Sequence, residues 1–269
     1  MPDFVDKADV LLDLGRFDLA SAELTKALAE DPDDAWVHAN LARCHLALGS
    51  PLKALAAARQ AVELAPDQEF AHYWMAACQR LGGDLESARA AIDEAVRLNP
   101  LGLASLTLAG RIAAARLQWF EASNLLDRAL AVDPSFAEAR NLKTYGLMQT
   151  GNHALAKWFN DETLRLHPED GFALYVKGCD SWQHGDPDKA SECFEQALRW
   201  DPQCEPTRRA KIDLEKIKLV PVAAPGNSLR EKKVQKNPVR ADVDHGRLVT
   251  RRRVLGDLVR FHSLSRYSV

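Results

Sequence analysis

An all-α stack of antiparallel helix pairs is the fold class this sequence predicts, and three observations predict it. Proline recurs at Pro32, Pro66, Pro100, Pro134, Pro168 and Pro202, each 34 residues after the last. A period of that length marks a repeat architecture built from one small supersecondary unit. Alanine stands at one fixed place in every period, as Ala20, Ala54, Ala88, Ala122, Ala156 and Ala190. The composition is 46% hydrophobic and 27% charged but only 7% aromatic, rich in the Ala, Leu, Glu and Arg that favour helix over strand.

With proline placed at position 32, the repeats run 1–34, 35–68, 69–102, 103–136, 137–170 and 171–204. Position 15 reads Gly15, Gly49, Gly83, Leu117, Gly151 and Gly185. Glycine there supplies the positive-φ turn that ends a first helix, and proline at 32 stops a second. Position 27 reads Ala27, Ala61, Ala95, Ala129, Thr163 and Ala197. Small side chains at 20 and 27 let the second helix approach its neighbours, where Leu or Phe would force the axes apart. Position 28 is Leu28, Val62, Val96, Leu130, Leu164 and Leu198, and with positions 24 and 27 it forms the i, i+3, i+4 stripe of a core-facing helix. Each repeat therefore reads helix, glycine turn, helix, proline turn. Repeat five carries Lys143, Thr144, Asn160 and Thr163 at core positions, which predicts the loosest packing.

Beyond the repeats, residues 205–218 place Ala210, Ile212, Leu214 and Ile217 among charges, as expected of the polar capping helix that closes a stack. Residues 219–245 hold prolines, a glycine and charged chain, and predict a mostly disordered linker. Residues 246–265 predict a basic amphipathic helix, with Leu255, Leu258 and Val259 on one arc and Arg251, Arg252, Arg253 and Arg260 as candidate contacts.

In the 34-residue spacing, the alanine columns and the glycine and proline turns, residues 1–204 resemble the tetratricopeptide repeat (TPR) family. The first helices depart from its pattern. Position 4, where the family favours Trp, is Phe4, His38, His72, Leu106, Arg140 and Leu174, and position 8, where it favours Gly, is Ala8, Ala42, Ala76, Gly110, Thr144 and Gly178. The resemblance implies a right-handed superhelical solenoid whose first helices line a concave groove, with positions 2, 5, 6, 9, 12 and 13 facing it. The partner-binding residues then expected are Trp36, Asn40, Arg43, Phe70, Tyr73, Trp74, Arg80, Arg111, Asn141, Tyr145, Phe172, Tyr175 and Trp182. Trp, Tyr and Arg carry much of the binding energy at protein interfaces. The alternative for Trp36, Phe70 and Phe172, all at position 2, is packing between repeats. The carboxylate clamp by which one TPR subfamily grips chaperone C-termini is missing, because its places hold Val5, Asp9, Asn40, Phe70 and Trp74. The expected ligand is a peptide or helical segment of a protein partner, its backbone met by the amides of Asn40 and Asn141. Asp6, Asp9 and Asp13 near one mouth favour a basic partner.

The chain carries a net charge of −3, yet residues 205–269 hold 16 Lys and Arg against 7 Asp and Glu, a balance of +9 that leaves −12 on residues 1–204. Such a tail suits phosphate contacts with nucleic acid, or docking onto the acidic repeats of its own or a neighbouring chain; a membrane surface is the weaker reading. A scaffold, and not an enzyme, is expected. The chain has no glycine-rich phosphate loop, no G-x-S-x-G and no H-E-x-x-H, so no cofactor is expected. His38 with His72, and Cys44 with Cys78, share repeat positions, but one period explains both coincidences and a metal is not expected. Five cysteines without a C-x-x-C pair read as buried thiols in a reducing compartment. With no signal-peptide pattern and no apolar span, a cytoplasmic location is expected.

Overall fold

The computed structural model describes residues 4–218, and these form thirteen α-helices and no strand. The predicted linker at 219–245 and basic helix at 246–265, with Arg251, Arg252, Arg253, Leu255, Leu258, Val259 and Arg260, lie outside the described residues. Two compact units divide the chain, residues 1–146 and residues 147 onward. The first contains α1 (Phe4–Asp13), α2 (Phe17–Glu30), α3 (Ala35–Ala47), α4 (Pro51–Leu64), α5 (Glu69–Leu81), α6 (Leu85–Leu98), α7 (Leu103–Ala115), α8 (Trp119–Val132) and most of α9 (Ala137–Gln149). The second contains the end of α9, then α10 (His153–Leu166), α11 (Gly171–Gln183), α12 (Pro187–Trp200) and α13 (Glu205–Lys218). The division falls inside repeat five. Among the described residues, no helix is long and apolar enough to cross a membrane.

In the first unit every odd-numbered helix from α1 to α7 packs against the even-numbered one that follows, and α3, α5 and α7 also touch in turn. In the second, α10, α11, α12 and α13 pack consecutively. Each helix pair is joined by the same turn. Gly15, Gly49, Gly83, Gly151 and Gly185 have φ between 66° and 84°. In each, the glycine N–H and the next N–H reach back to carbonyls three and five residues earlier, as in Gly49 to Leu46 at 3.0 Å and Ser50 to His45 at 2.8 Å. Leu117, the exception in the glycine column, keeps the same conformation at φ 62°, with Leu117 to Ala114 and Gln118 to Ala113 both at 2.9 Å. A leucine there bears the steric conflict of Cβ in the left-handed region, roughly 1–2 kcal/mol.

The core lies between paired helices, and small residues set its thickness. All six alanines at position 20 are at most 3% exposed. In two repeats position 8 is glycine and packs directly against a large side chain at position 24. A Cβ on Gly110 would stand 3.0 Å from Leu126, and one on Gly178 would stand 2.5 Å from the Phe194 ring. The variable position 8 is thus one half of a packing pair with position 24.

Position 4 acquires a role that its residue type does not announce. His38 Nε2 donates to the Pro32 carbonyl at 2.9 Å, and His72 Nε2 to the Pro66 carbonyl at 2.8 Å. Arg140 Nη1 does the same to Pro134 at 3.0 Å. These side chains staple each first helix to the proline turn before it.

Repeat five is less exposed to solvent than its polar residues suggest. Thr144, Asn160 and Thr163 are buried, Asn160 Nδ2 donates to the Ala173 carbonyl at 3.0 Å and Thr163 Oγ1 to Phe159 at 2.8 Å, and Lys143 pairs with Asp127. All five cysteines are buried. Burial pushes the Cys44 thiol up to about 11 and the Cys78 thiol up to about 12, so both stay protonated at neutral pH.

Leu117 is 72% exposed, so Leu117→Gly removes backbone strain without opening a cavity, and after glycine's larger folding entropy is set against it a gain of about 0.5–1 kcal/mol remains. Urea denaturation of the full chain should show a higher midpoint with unchanged slope. Gly178→Ala should do the reverse, lowering stability by about 1–3 kcal/mol through overpacking. Adding Phe194→Leu should recover part of that loss, and an unchanged midpoint in Gly178→Ala would remove the packing-pair argument.

Candidate functional site

The candidate site belongs to the first unit and is built on α3, α5 and α7. Asp34 starts α3, its Oδ1 accepting from the backbone N–H of Trp36 at 2.8 Å and of Val37 at 3.1 Å. That cap fixes the first turn and seats Trp36, half-buried, against the core of Ala8, Leu12, Val37 and Leu41. The start of α5 is tied to the next repeat through Glu69, whose carboxylate accepts from Asn99 Nδ2 at 2.8 Å and from Ser105 Oγ. Gly102 is required beside it, because a Cβ there would stand 2.5 Å from Glu69 Oε1.

One turn along α5, Tyr73 and Trp74 pack edge to face with ring centroids 5.0 Å apart and lean on the core below. The Arg43 guanidinium, from α3, lies 6.0 Å from the Trp74 ring and 5.8 Å from Phe17, within reach of a cation–π attraction. Arg80 extends the cluster from the last turn of α5. From α7, Arg111 is 8% exposed and pairs through Nη2 with Glu138. The Nε–H groups of Arg43, Arg80 and Arg111 are buried and donate to no described residue, and Gln79 Oε1 beside them accepts from none.

The electrostatics follow from that burial. Desolvation, with the charge of Arg80 second, pushes the Arg111 guanidinium down to about 10. Desolvation likewise lowers Arg80. Burial raises the Tyr73 phenol, against the opposing charges of Arg111, Arg80 and Arg43. Tyr73 therefore sits near two cations, Arg80 and Arg111, that burial has partly stripped of water. Guanidinium forks match carboxylates, and the aromatic faces beside them suit apolar side chains.

The expected site residues divide by exposure. Trp36, Arg43, Phe70, Tyr73, Trp74 and Arg80 are half-buried on one face of the first unit, and Phe70 also packs, with Trp74, on Ala39, Ala61 and Ala71. Asn40 is buried, and its Nδ2 donates to the Trp36 carbonyl at 3.0 Å. Asn141 and Tyr145 are buried as well. Tyr145 meets Trp119 edge to face at 5.7 Å, and burial pushes its phenol up to about 12.

In the second unit Phe172 and Tyr175 are 4% and 1% exposed, which places both in the core and not on a ligand-facing surface. The reason for Tyr175 is the Phe194 ring 5.9 Å away, admitted by Gly178. Trp182 is half-buried in the last turn of α11. Sequence reasoning missed Glu69, which lies at a position that the family pattern does not assign to the groove and reaches Ser105 of α7 only once the helices pack.

Two family models described as tetratricopeptide repeat match the chain, over residues 5–69 and 171–204. The mouse (Mus musculus) DnaJ homolog subfamily C member 7 is 24% identical over 210 residues; the match takes in 77% of this chain and 38% of that protein. The chain thus spans well under half the length of this relative. Among solved structures, PilW, a type IV pilus biogenesis factor, superposes with a TM-score of 0.65 at 21% identity over 77% of this chain and 96% of PilW. PilF of Pseudomonas aeruginosa gives 0.62 at 17% identity, covering 78% and 96% of the two chains. The APC/C hetero-tetramer Cut9–Hcn1 gives 0.69 at 14% identity, covering 78% of this chain and 42% of that one. Helix pairs of 34 residues, a repeated positive-φ turn, alanine-lined contacts and these matches lead to one conclusion: residues 5–69 and 171–204 are similar to tetratricopeptide repeats, and the described helices have the fold of such repeats.

Proposed function

We propose that the chain is a non-enzymatic interaction scaffold that holds a peptide or helical segment of a protein partner on the face formed by α3, α5 and α7. The observation that carries this reading is the half-buried set Trp36, Arg43, Phe70, Tyr73, Trp74 and Arg80. Aromatic and arginine side chains offer large contact area for little lost rotamer freedom. Stacked helical repeats present extended surfaces of this kind to partners. The rings are also supported from behind: Tyr73 and Trp74 rest on the core of Ala42, Ala76 and Ile92, which holds them in place before any ligand arrives.

A pull-down with the full chain as bait tests the reading. One variant combines Trp36→Ala, Tyr73→Ala and Trp74→Ala; a milder one, Arg43→Ser, leaves the core untouched. A control variant carries Leu52→Ser and Phe120→Ser, exposed positions on the second helices α4 and α8. Recovery of partners should fall about tenfold in the face variants, equivalent to about 1.4 kcal/mol, while the control matches wild type and circular dichroism shows retained helix. Equal recovery by folded face variants and wild type would sink the proposal.

A further inference from the structure

The α3–α5–α7 face holds three buried or half-buried guanidinium groups, of Arg43, Arg80 and Arg111, and the described contacts place one carboxylate against them, Glu138 on Arg111. Glu69 is engaged elsewhere, by Asn99 and Ser105. Three Nε–H donors remain buried with no acceptor among the described residues, one of them on a side chain more than nine-tenths buried. Burying a donor without a partner costs free energy, and burying a cation without a counter-charge costs more. An incoming anion relieves both penalties at once.

We infer that the partner segment is acidic, and that an Asp or Glu side chain of it is received between Arg80 and Arg111 beside Tyr73. This rests on the reading of the same face given under Proposed function. The bound carboxylate would accept charge-assisted hydrogen bonds from the two guanidinium groups, with the Tyr73 hydroxyl as a further donor. Apolar neighbours in the segment would lie on Trp36, Phe70 and Trp74. Arg43 and Arg111 stand at position 9 of their repeats, where the C-terminal carboxylate clamp uses an amide, and Arg80 at position 12, outside the clamp; the ligand group of this proposal is an internal acidic residue and not a chain end. The acidic residues Asp6, Asp9 and Asp13 are exposed on α1, a different helix, and do not neutralise the cluster. A peptide is favoured over a nucleic acid because the cations are few and one of them already carries a carboxylate, Glu138 on Arg111, whereas a phosphate backbone is tracked by an extended basic stripe.

Selection of a randomised displayed-peptide library on the full chain tests this. Wild type should enrich sequences with Asp or Glu at one fixed place relative to apolar residues. Replacing that acid by its amide in a selected peptide should weaken binding about tenfold by fluorescence anisotropy. Selection on Arg80→Gln should lose the acidic position and keep the apolar ones. The acid-to-amide comparison uses wild-type protein and stands even if that variant misfolds. Enrichment of apolar sequences with no acidic position overturns this inference and leaves the scaffold reading intact. Enrichment of nothing overturns both. Tighter binding of a single-stranded oligonucleotide than of any selected peptide overturns it in favour of a phosphate ligand.

Discussion

The distance between the two helices of each repeat is the constraint on which the rest of this structure depends. Ala20, Ala54, Ala88, Ala122, Ala156 and Ala190 are all buried at that contact, and a larger side chain at any of them would push the axes apart. Close axes let one turn geometry serve every pair, even where leucine occupies the left-handed position at Leu117. That a leucine is tolerated there shows the hierarchy of forces. Burial along two packed helices outweighs the one or two kcal/mol of backbone strain that the turn imposes.

The same spacing builds the site. Because α3, α5 and α7 touch in succession, side chains 34 residues apart or nearly so are brought onto one face. Arg43 lies over Trp74 of the next repeat, Glu69 reaches Asn99 and Ser105, and Arg111 reaches Glu138. All of these links but Glu69 to Asn99 cross from one repeat to the next, so the face has no counterpart within a single repeat. Its chemistry, two partly desolvated cations beside two rings packed edge to face, follows from the stacking of repeats. Repeat proteins gain binding surfaces this way, by placing variable residues on a regular frame.

The packing pair of positions 8 and 24 shows how such a frame tolerates variation. Gly178 leaves room for the Phe194 ring, as Gly110 does for Leu126, in an interior dense enough that one added methyl group is felt. Tyr175 is drawn into the core by the same arrangement, since the Phe194 ring that Gly178 admits is its neighbour. A residue at a nominal groove position thereby became core. Position 4 behaves comparably: His38, His72 and Arg140 differ in type but each donates to a proline carbonyl six residues back. Histidine and arginine are equivalent there as donors of sufficient reach, while Phe4, Leu106 and Leu174 carry no side-chain donor at the same position.

By itself the sequence determined the repeat length, the helix pairs, the turns and the face on which partner-facing residues are sought. These follow from local rules of backbone conformation, periodicity and side-chain size, which act within some thirty residues. It also marked Trp36, Tyr73, Trp74, Arg43 and Arg80 by their positions. Only the tertiary structure decided which marked residues stay at the surface and which are spent on the interior, as Asn40, Tyr145, Phe172 and Tyr175 are. Burial depends on the volume of neighbours from other helices, and the desolvation of Arg80 and Arg111 depends on how closely α5 and α7 approach. Neither quantity is a property of a residue or of its place in a period; both arise when the helices pack.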